Sequence, residues 1–135
     1  MHLLIDTNVI IDYVCRRQAF DAAATLFEKV AEESSTCFVT ASSVTDIFYI
    51  TRKYAGGTQG AYAMLDMILA FADVLPTTAA DIEDAYRKRW SDFEDAVVMA
   101  VAESNDIDYI ITNNKQDFVG GIVPVLTPAE YCALQ

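Results

Sequence analysis

Three aspartates occupy places in the sequence that a solvated surface does not explain. Asp6 follows an apolar run, Asp46 interrupts a second one, and Asp95 opens a run of small apolar residues from Ala96 to Ala102. A carboxylate among apolar residues is costly to bury without a partner. Asp6 and Asp95 could also serve as helix-start residues, because acids there satisfy free N–H groups and the helix dipole. Taken together, Asp6, Asp46 and Asp95 are candidate catalytic and metal-binding residues.

The chemistry open to these carboxylates is limited by what the chain lacks. His2 is the one histidine, and three distant cysteines form no metal-binding spacing. This excludes a zinc site, a disulfide framework and a histidine-activated nucleophile. Three close carboxylates repel one another unless a cation neutralises them. An all-oxygen ligand set favours Mg²⁺ or Mn²⁺, whose chemistry suits phosphodiester cleavage.

Alternating apolar runs and amphipathic segments predict the elements that must position these acids. Helical spacing and capping residues predict seven helices between five short apolar strands. Strands that alternate with helices indicate a three-layer α/β fold, a central parallel sheet with helices on both faces. No linker or repeat interrupts the pattern, so a single domain spans 1–135. Ligands of such folds bind beyond the carboxyl ends of the strands, where Asp6 and Thr112 are expected. The predicted strands are 2–5, 37–40, 74–76, 108–112 and 122–126, and the helix after Gly56-Gly57 is expected over 60–71.

Charge and composition exclude two broad classes of function. The 20 acidic and 9 basic residues give a net charge of −11, which excludes a module that binds nucleic acid by blanket positive charge. The same charge excludes attraction to an anionic membrane surface. Since no apolar run approaches the ~20 residues of a membrane span, we expect no membrane partner. These features predict a cytoplasmic protein with reduced thiols.

Four segments, in this order along the chain, resemble the motifs of PIN-domain proteins, including the VapC-like toxin ribonucleases. Each motif alone is unspecific, but the ordered set is more specific and spans nearly the whole chain. The segments are Leu4-Ile5-Asp6-Thr7-Asn8, Ser43-Val44-Thr45-Asp46-Ile47, Ser91-Asp92-Phe93-Glu94-Asp95-Ala96 and Ile110-Ile111-Thr112-Asn113-Asn114-Lys115-Gln116-Asp117-Phe118.

The resemblance implies a Rossmann-like PIN fold, dependence on Mg²⁺ or Mn²⁺, and endoribonuclease activity on RNA. It also implies a toxin inhibited by a small antitoxin protein, and such toxins are often dimeric. Carried over residue by residue, the three metal-carboxylate roles fall on Asp6, Asp46 and Asp95. Supporting positions around them are Thr7, Asn8 and Thr112, with Asp92 as the expected N-cap of the helix that carries Asp95.

The sequence departs from the family pattern at two acidic positions. Asp46 stands where Glu is commoner, and its side chain is one methylene shorter. The fourth acidic position holds Asn114, which carries no charge, while Asp117 matches an Asp-Phe pair that is structural in the family. Either Asn114 or Asp117 can take the fourth place in the site, and the sequence leaves the two open.

Phosphate contacts and a second copy of the chain are expected at separate places. The local basic groups that RNA would need are Arg52 and Lys53, beyond Asp46, and Lys115, beside Asn114; Arg16-Arg17 is a further basic pair.

The predicted helix over 60–71 carries apolar residues on most sides and a single charge, Asp66. One small domain buries one side of such a helix, so the rest predicts a homodimer interface. An antitoxin groove and plain core are the alternatives.

Two other functions remain to be weighed against a ribonuclease. Asn114 and the strong acidity favour a catalytically weak or inactive PIN-like module that binds RNA or protein. A phosphatase of the haloacid-dehalogenase type would need a second aspartate after Asp6, and Asn8 stands there instead.

Overall fold

The computed structural model describes residues 1–135 and is built on one sheet of five parallel strands. The strand order is β3-β2-β1-β4-β5, so β1 lies at the centre with β2 and β4 on either side. The number of strands and their parallel pairing confirm the prediction from sequence. The strands are β1 (His2–Ile5), β2 (Thr36–Thr40), β3 (Ala72–Leu75), β4 (Tyr109–Ile111) and β5 (Val125–Leu126).

Helices cover both faces of the sheet and complete the three layers. Leu3 and Ile5 of β1 face one apolar core and Leu4 faces the other, because successive strand side chains alternate. Helices α5 (Ala79–Lys88) and α6 (Phe93–Glu103) pack on the Leu4 side. The remaining helices pack on the other side: α1 (Thr7–Val14), α2 (Phe20–Glu32), α3 (Ala41–Tyr54), α4 (Gly57–Phe71) and α7 (Pro128–Cys132). None of these helices has the length and apolarity needed to cross a membrane.

The bounds of β2 and β4 differ from the prediction by one residue at one or both ends, and three other elements differ by more. Helix α4 starts at Gly57, three residues before the predicted Gly60, because the chain turns directly from α3 through a left-handed Gly56 (φ 83°). A Cβ at Gly60 would lie 1.3 Å from the carbonyl oxygen of Ala55, so this tight turn requires glycine there. Strand β3 starts earlier, at Ala72, and β5 is shortened to Val125–Leu126 because Ile122 is 85% exposed and lies off the sheet.

The carboxyl edge of the sheet gathers the predicted site residues. Asp6 directly follows β1 and Thr112 directly follows β4, and the Asp6 amide donates to the carbonyl oxygen of Ile111 at 2.9 Å. Because β1 and β4 are paired neighbours, the side chains that follow them meet. The first turn of α6, at Asp92 to Asp95, contributes to the same edge.

Candidate active site

Asp6 is held rigidly by hydrogen bonds at the centre of the edge. Its side chain caps α1 by accepting from the Thr7 amide at 2.8 Å, and it also accepts from Thr112 Oγ1 at 2.8 Å and Asn8 Nδ2 at 3.2 Å. Only 3% of the residue is exposed. Burial raises the pKa of this carboxyl, the bonds from Thr112 and Thr7 oppose the rise, and the nearby Asp92 and Asp117 add to it.

The first turn of α6 places a second group of acids beside Asp6. Asp92 is the N-cap, as the sequence predicts, and its Oδ1 accepts from the Asp95 amide at 3.1 Å. Since Asp92 satisfies the end of the helix, Asp95 is left to project into the site, where it is 7% exposed. Asp6, Asp92, Glu94, Asp95 and Asp117 line one cavity of about 220 Å³, here called the acidic cavity.

The acidic cavity concentrates negative charge, because five acidic side chains and one basic side chain, Arg17, line it. Carboxylate oxygens of Asp92, Asp95 and Asp117 all lie within 4.8 Å of one another. Burial raises the pKa of Asp95 to about 8, and the charges of Asp6, Asp92, Asp117 and Glu94 contribute in that order. Near neutral pH, Asp95 is therefore largely protonated unless a cation enters the cavity.

Glu94 also lines this cavity, although it is adjacent to Asp95 in the helix, where neighbouring side chains point in different directions. Its Oε1 accepts from Thr7 Oγ1 at 3.2 Å, a contact between α6 and α1. Partial burial and the charges of Asp46 and Asp6 raise the pKa of this carboxyl. The sequence does hold one signal for this placement. Asp92, Glu94 and Asp95 put three acids at the start of one helix, which is more than capping that helix requires.

Asp46 is not among the residues that line the acidic cavity. It lies on the exposed face of α3, close enough to Glu94 for its charge to be felt there. The structure thus brings Asp6 and Asp95 together and leaves Asp46 at the outside. Of the two residues considered for the fourth position, both Asn114 and Asp117 line the cavity, and Asp117 supplies the carboxylate.

The basic residues expected as phosphate contacts are not among the residues that line the acidic cavity. Arg52 and Lys53 are exposed on α3, and the Arg52 guanidinium lies over the Tyr49 ring, 5.3 Å from its centre. Lys115 is paired with Glu130 at 2.9 Å. Instead, Arg17 lines the cavity, and its Nε is 3.6 Å from Asp12 Oδ1. A contact between phosphate and Arg52, Lys53 or Lys115 stays a prediction.

Thr112 joins three parts of the site through one buried hydroxyl group. It donates to Asp6 and accepts from Asn8 Nδ2 at 3.2 Å and the Asn114 amide at 3.1 Å, and it is fully buried. Replacing Thr112 by Val keeps the volume but removes every one of these bonds. We expect Thr112→Val to lower the free energy of unfolding by about 1–3 kcal/mol, because buried polar groups lose their partners.

Chemical denaturation of Thr112→Val and Thr51→Val measures this effect against a matched control. Thr51 is also fully buried, but its hydroxyl donates to the helix carbonyl of Ile47 at 2.8 Å, and that oxygen also serves the helix. A smaller loss is therefore expected for Thr51→Val. Equal losses in the two variants would show that the Thr112 network contributes no special stability.

Comparison of the sequence with known protein families identifies the family to which the chain belongs. A model described as PIN domain matches residues 2–116, which include every residue of the acidic cavity except Asp117. The chain belongs to the PIN-domain family. The match confirms the resemblance carried by the four sequence motifs. No curated protein is significantly similar to the chain in sequence.

Solved structures confirm that the PIN fold extends over nearly the whole chain. VapBC2 from Rickettsia felis bound to a promoter DNA fragment has a TM-score of 0.75 at 13% identity, covering 94% of this chain and 98% of that one. VapC20 from Mycobacterium tuberculosis, described as a toxin that cleaves the sarcin-ricin loop, has a TM-score of 0.68 at 15% identity, covering 89% and 96%. A toxin–antitoxin complex from Klebsiella pneumoniae has a TM-score of 0.66 at 24% identity, covering 93% and 97%.

Proposed function

We propose that this PIN-domain protein is a metal-dependent endoribonuclease that hydrolyses RNA phosphodiester bonds at the acidic cavity. The observation that carries the proposal is the concentration of five carboxylates in one cavity, among them Asp95, a buried acid whose pKa is raised to about 8. Such a cluster is unfavourable in a protein without a function for it, because its charges repel one another. Perturbed acids in a cleft are typical of catalytic sites.

The side chains present fit Mg²⁺ or Mn²⁺. The cavity offers carboxylate oxygens and no imidazole or thiolate, and these are the ligands of hard divalent cations. Asp6 and Asp95 would hold the ion, as the sequence motifs imply, together with Asp117 or Asp92. Asp46 keeps its proposed role in the site from the exposed side of α3, where its charge acts on Glu94. When bound, the ion would activate a water molecule and neutralise charge on the phosphate.

The chain's own residues orient the ligands and the substrate around that position. Thr112, Asn8 and Thr7 hold the Asp6 carboxylate in one orientation through their hydrogen bonds. The Arg17 side chain is 52% exposed and lines the cavity, where its positive charge offsets part of the field of the five acids. The N-termini of α1 and α6 also converge here, and their positive dipole ends favour an approaching anion. A phosphate is thus accommodated despite the net charge of −11.

A cleavage assay tests this function against the inactive alternative. Purified protein is incubated with single-stranded and structured RNA, and with DNA of the same sequence, in Mg²⁺, in Mn²⁺ and in EDTA. Cleavage of RNA in either ion and its loss in EDTA support the proposal. Binding without cleavage would favour a catalytically inactive module. The uncharged Asn114 and the position of Asp46 outside the cavity lining support that alternative.

We further propose that the protein is the toxin of a toxin–antitoxin pair and acts in the cytoplasm. The structural neighbours include complexes described as VapBC and toxin–antitoxin assemblies, and their toxin folds match this chain nearly end to end. A small antitoxin would block the RNA-binding edge of the sheet. Expression of the chain alone should arrest bacterial growth, and co-expression of a small neighbouring gene product should restore it and co-purify with the chain.

The exposed side of α4 is the proposed homodimer interface. Tyr62 and Leu69 are seven residues apart, so they lie on one side of α4, and they are 59% and 52% exposed. Beside them, Val44, Phe48 and Leu65 line a shallow apolar groove between α3 and α4. Large exposed apolar side chains grouped in this way are typical of a protein interface. A symmetric pairing about a two-fold axis would cover the same patch on both copies.

Sedimentation velocity over a concentration series checks the dimer. We expect dimers at tens of micromolar for the wild type and monomers for Tyr62→Lys, since a lysine would be desolvated in the apolar patch. Tyr86→Lys is the matched control, because Tyr86 is 58% exposed on α5, on the opposite face of the sheet. A wild-type protein that stays monomeric without an antitoxin would leave the α4 surface as an antitoxin groove.

A further inference from the structure

A second cavity adjoins the acidic cavity and has a different chemistry. It measures about 470 Å³, within the size range of small-ligand sites. Asn8, Arg17 and Asn114 line both cavities, so the two are continuous. The other side chains that matter are Asp12, Gln18 and Asn113. We call this space the amide cavity, because four of these six residues are Asn or Gln.

The amide cavity carries almost no net charge, unlike its neighbour. One acid, Asp12, faces one base, Arg17, while the acidic cavity has five acids and shares that same base. A neutral surface rich in hydrogen-bond donors and acceptors suits a nucleobase, which is polar and uncharged. Because the two cavities share a wall, a base bound in the amide cavity would have its phosphate next to the carboxylates of the acidic cavity.

Asp12 fixes the wall of the amide cavity. Its Oδ2 accepts from Asn113 Nδ2 at 2.7 Å, while its Oδ1 is 3.6 Å from Arg17 Nε. A carboxylate only accepts, so this bond sets which end of the Asn113 amide faces Asp12 and leaves Asn113 Oδ1 available as an acceptor. Asp12 itself is 13% exposed, and Arg17 keeps its two terminal amino groups for a ligand. The wall formed by Asp12 and Asn113 therefore presents oriented groups to a ligand.

We propose that the amide cavity binds the base of the nucleotide next to the cleaved phosphodiester bond and selects guanine; this rests on the proposed ribonuclease function. The two terminal amino groups of Arg17 match the O6 and N7 acceptors of guanine, the pairing arginine makes most often with a base edge. Asn113 and the exposed amides of Gln18 and Asn114 supply further donors and acceptors. In RNA, unstacked bases of single strands are read in this way.

Cleavage of short single-stranded RNAs that differ in the base on either side of the cleaved bond tests the assignment. The wild type should cleave the guanine-containing RNA with a kcat/KM on the order of tenfold above the others, the discrimination expected from one bidentate contact. Arg17→Gln should reduce that ratio to about one. Asn113→Ala should lower it less, because Arg17 keeps Asp12. Arg87→Gln removes the same charge from an exposed α5 side chain paired with Glu83 and Asp84, and should leave the ratio unchanged.

Binding of the same RNAs separates failure of this assignment from failure of the proposed function. Fluorescence anisotropy in the Asp95→Asn background should show the guanine preference, and adding Arg17→Gln should abolish it. If the wild type cleaves RNA but neither assay shows a guanine preference that depends on Arg17, the base subsite is wrong and the ribonuclease stands. If no RNA is cleaved, the ribonuclease is wrong, and the presence or absence of the preference in binding still decides the cavity's role.

Discussion

Replacing Asp95 by Asn is expected to abolish RNA cleavage, by at least about a thousandfold, while leaving the protein more stable than the wild type. Asp95 is a buried acid of the acidic cavity, and burial and the charges of Asp6 and Asp92 raise its pKa to about 8. Removing its charge eliminates a metal ligand and relieves repulsion together. Few substitutions both inactivate and stabilise, so the combination is diagnostic of a functional acid.

The stability difference should depend on pH in a defined direction. The ordinary pKa of 3.8 applies to Asp95 in the unfolded chain, and the pKa of about 8 applies to the metal-free folded protein. Between these values the folded state holds a proton that the unfolded chain has released, so wild-type stability falls as pH rises. The Asp95→Asn variant does not lose stability in this way, because asparagine does not titrate. We expect it to be more stable by about 1–3 kcal/mol above pH 8 and similar to the wild type below pH 4.

Denaturation curves in EDTA at several pH values measure this difference. Asp73→Asn is the matched control, since Asp73 is exposed on β3 and should change stability little. Adding Mn²⁺ should raise the melting temperature of the wild type and leave that of Asp95→Asn almost unchanged, because ligand binding stabilises the folded state. Wild-type cleavage rates in Asp95→Asn would place the chemistry elsewhere.

Substitutions of Glu94 and Asp46 are expected to affect metal binding and cleavage to different extents. The sequence motif and the structure rank these two acids in opposite order. The family motif assigns a carboxylate role to Asp46, whereas in the structure Glu94 lines the acidic cavity and Asp46 does not. Thr7 orients the Glu94 carboxylate by its hydrogen bond at 3.2 Å. Glu94→Gln is therefore expected to weaken Mn²⁺ binding and cleavage by about 10- to 100-fold, and Asp46→Asn by less.

Isothermal titration with Mn²⁺ and the cleavage assay, run on both variants, decide between the two acids. Both substitutions remove one negative charge and keep nearly the same volume, so each serves as the control for the other. A larger loss in Asp46→Asn would show that α3 brings Asp46 to the ion despite its exposure in the structure. Equal losses would show that both acids act through long-range charge alone.

Local sequence signals predicted the centre of the site. An acid after a buried strand, as at Asp6, and an N-cap three residues before a second acid, as at Asp92 and Asp95, have local physical reasons that do not depend on the rest of the fold. The parallel sheet then follows from the alternation of elements, and it brings Asp6 and Thr112 to one edge. These features could be predicted because each is encoded within a few residues.

The placements that the sequence does not predict depend on how distant elements meet. Glu94 reaches the site only because α6 lies beside Thr7 of α1, a contact between residues 87 positions apart. Arg17 reaches it because the turn after α1 passes through Arg16 in a left-handed conformation (φ 50°), which few non-glycine residues adopt. The early start of α4 rests on the close approach of Gly60 to Ala55. Helical spacing and propensity carry no information about such contacts.

Diffraction from crystals soaked in Mn²⁺, with data collected at the manganese absorption edge, tests the central claim most directly. If the acidic cavity is a divalent-metal site, an anomalous peak should lie between the carboxylates of Asp6 and Asp95, with Asp92, Glu94 or Asp117 nearby. The peak should be absent from crystals of Asp95→Asn soaked in the same way. A wild-type crystal that diffracts well but holds no manganese in this cavity, while its protein cleaves RNA in Mn²⁺, would contradict the assignment of the site.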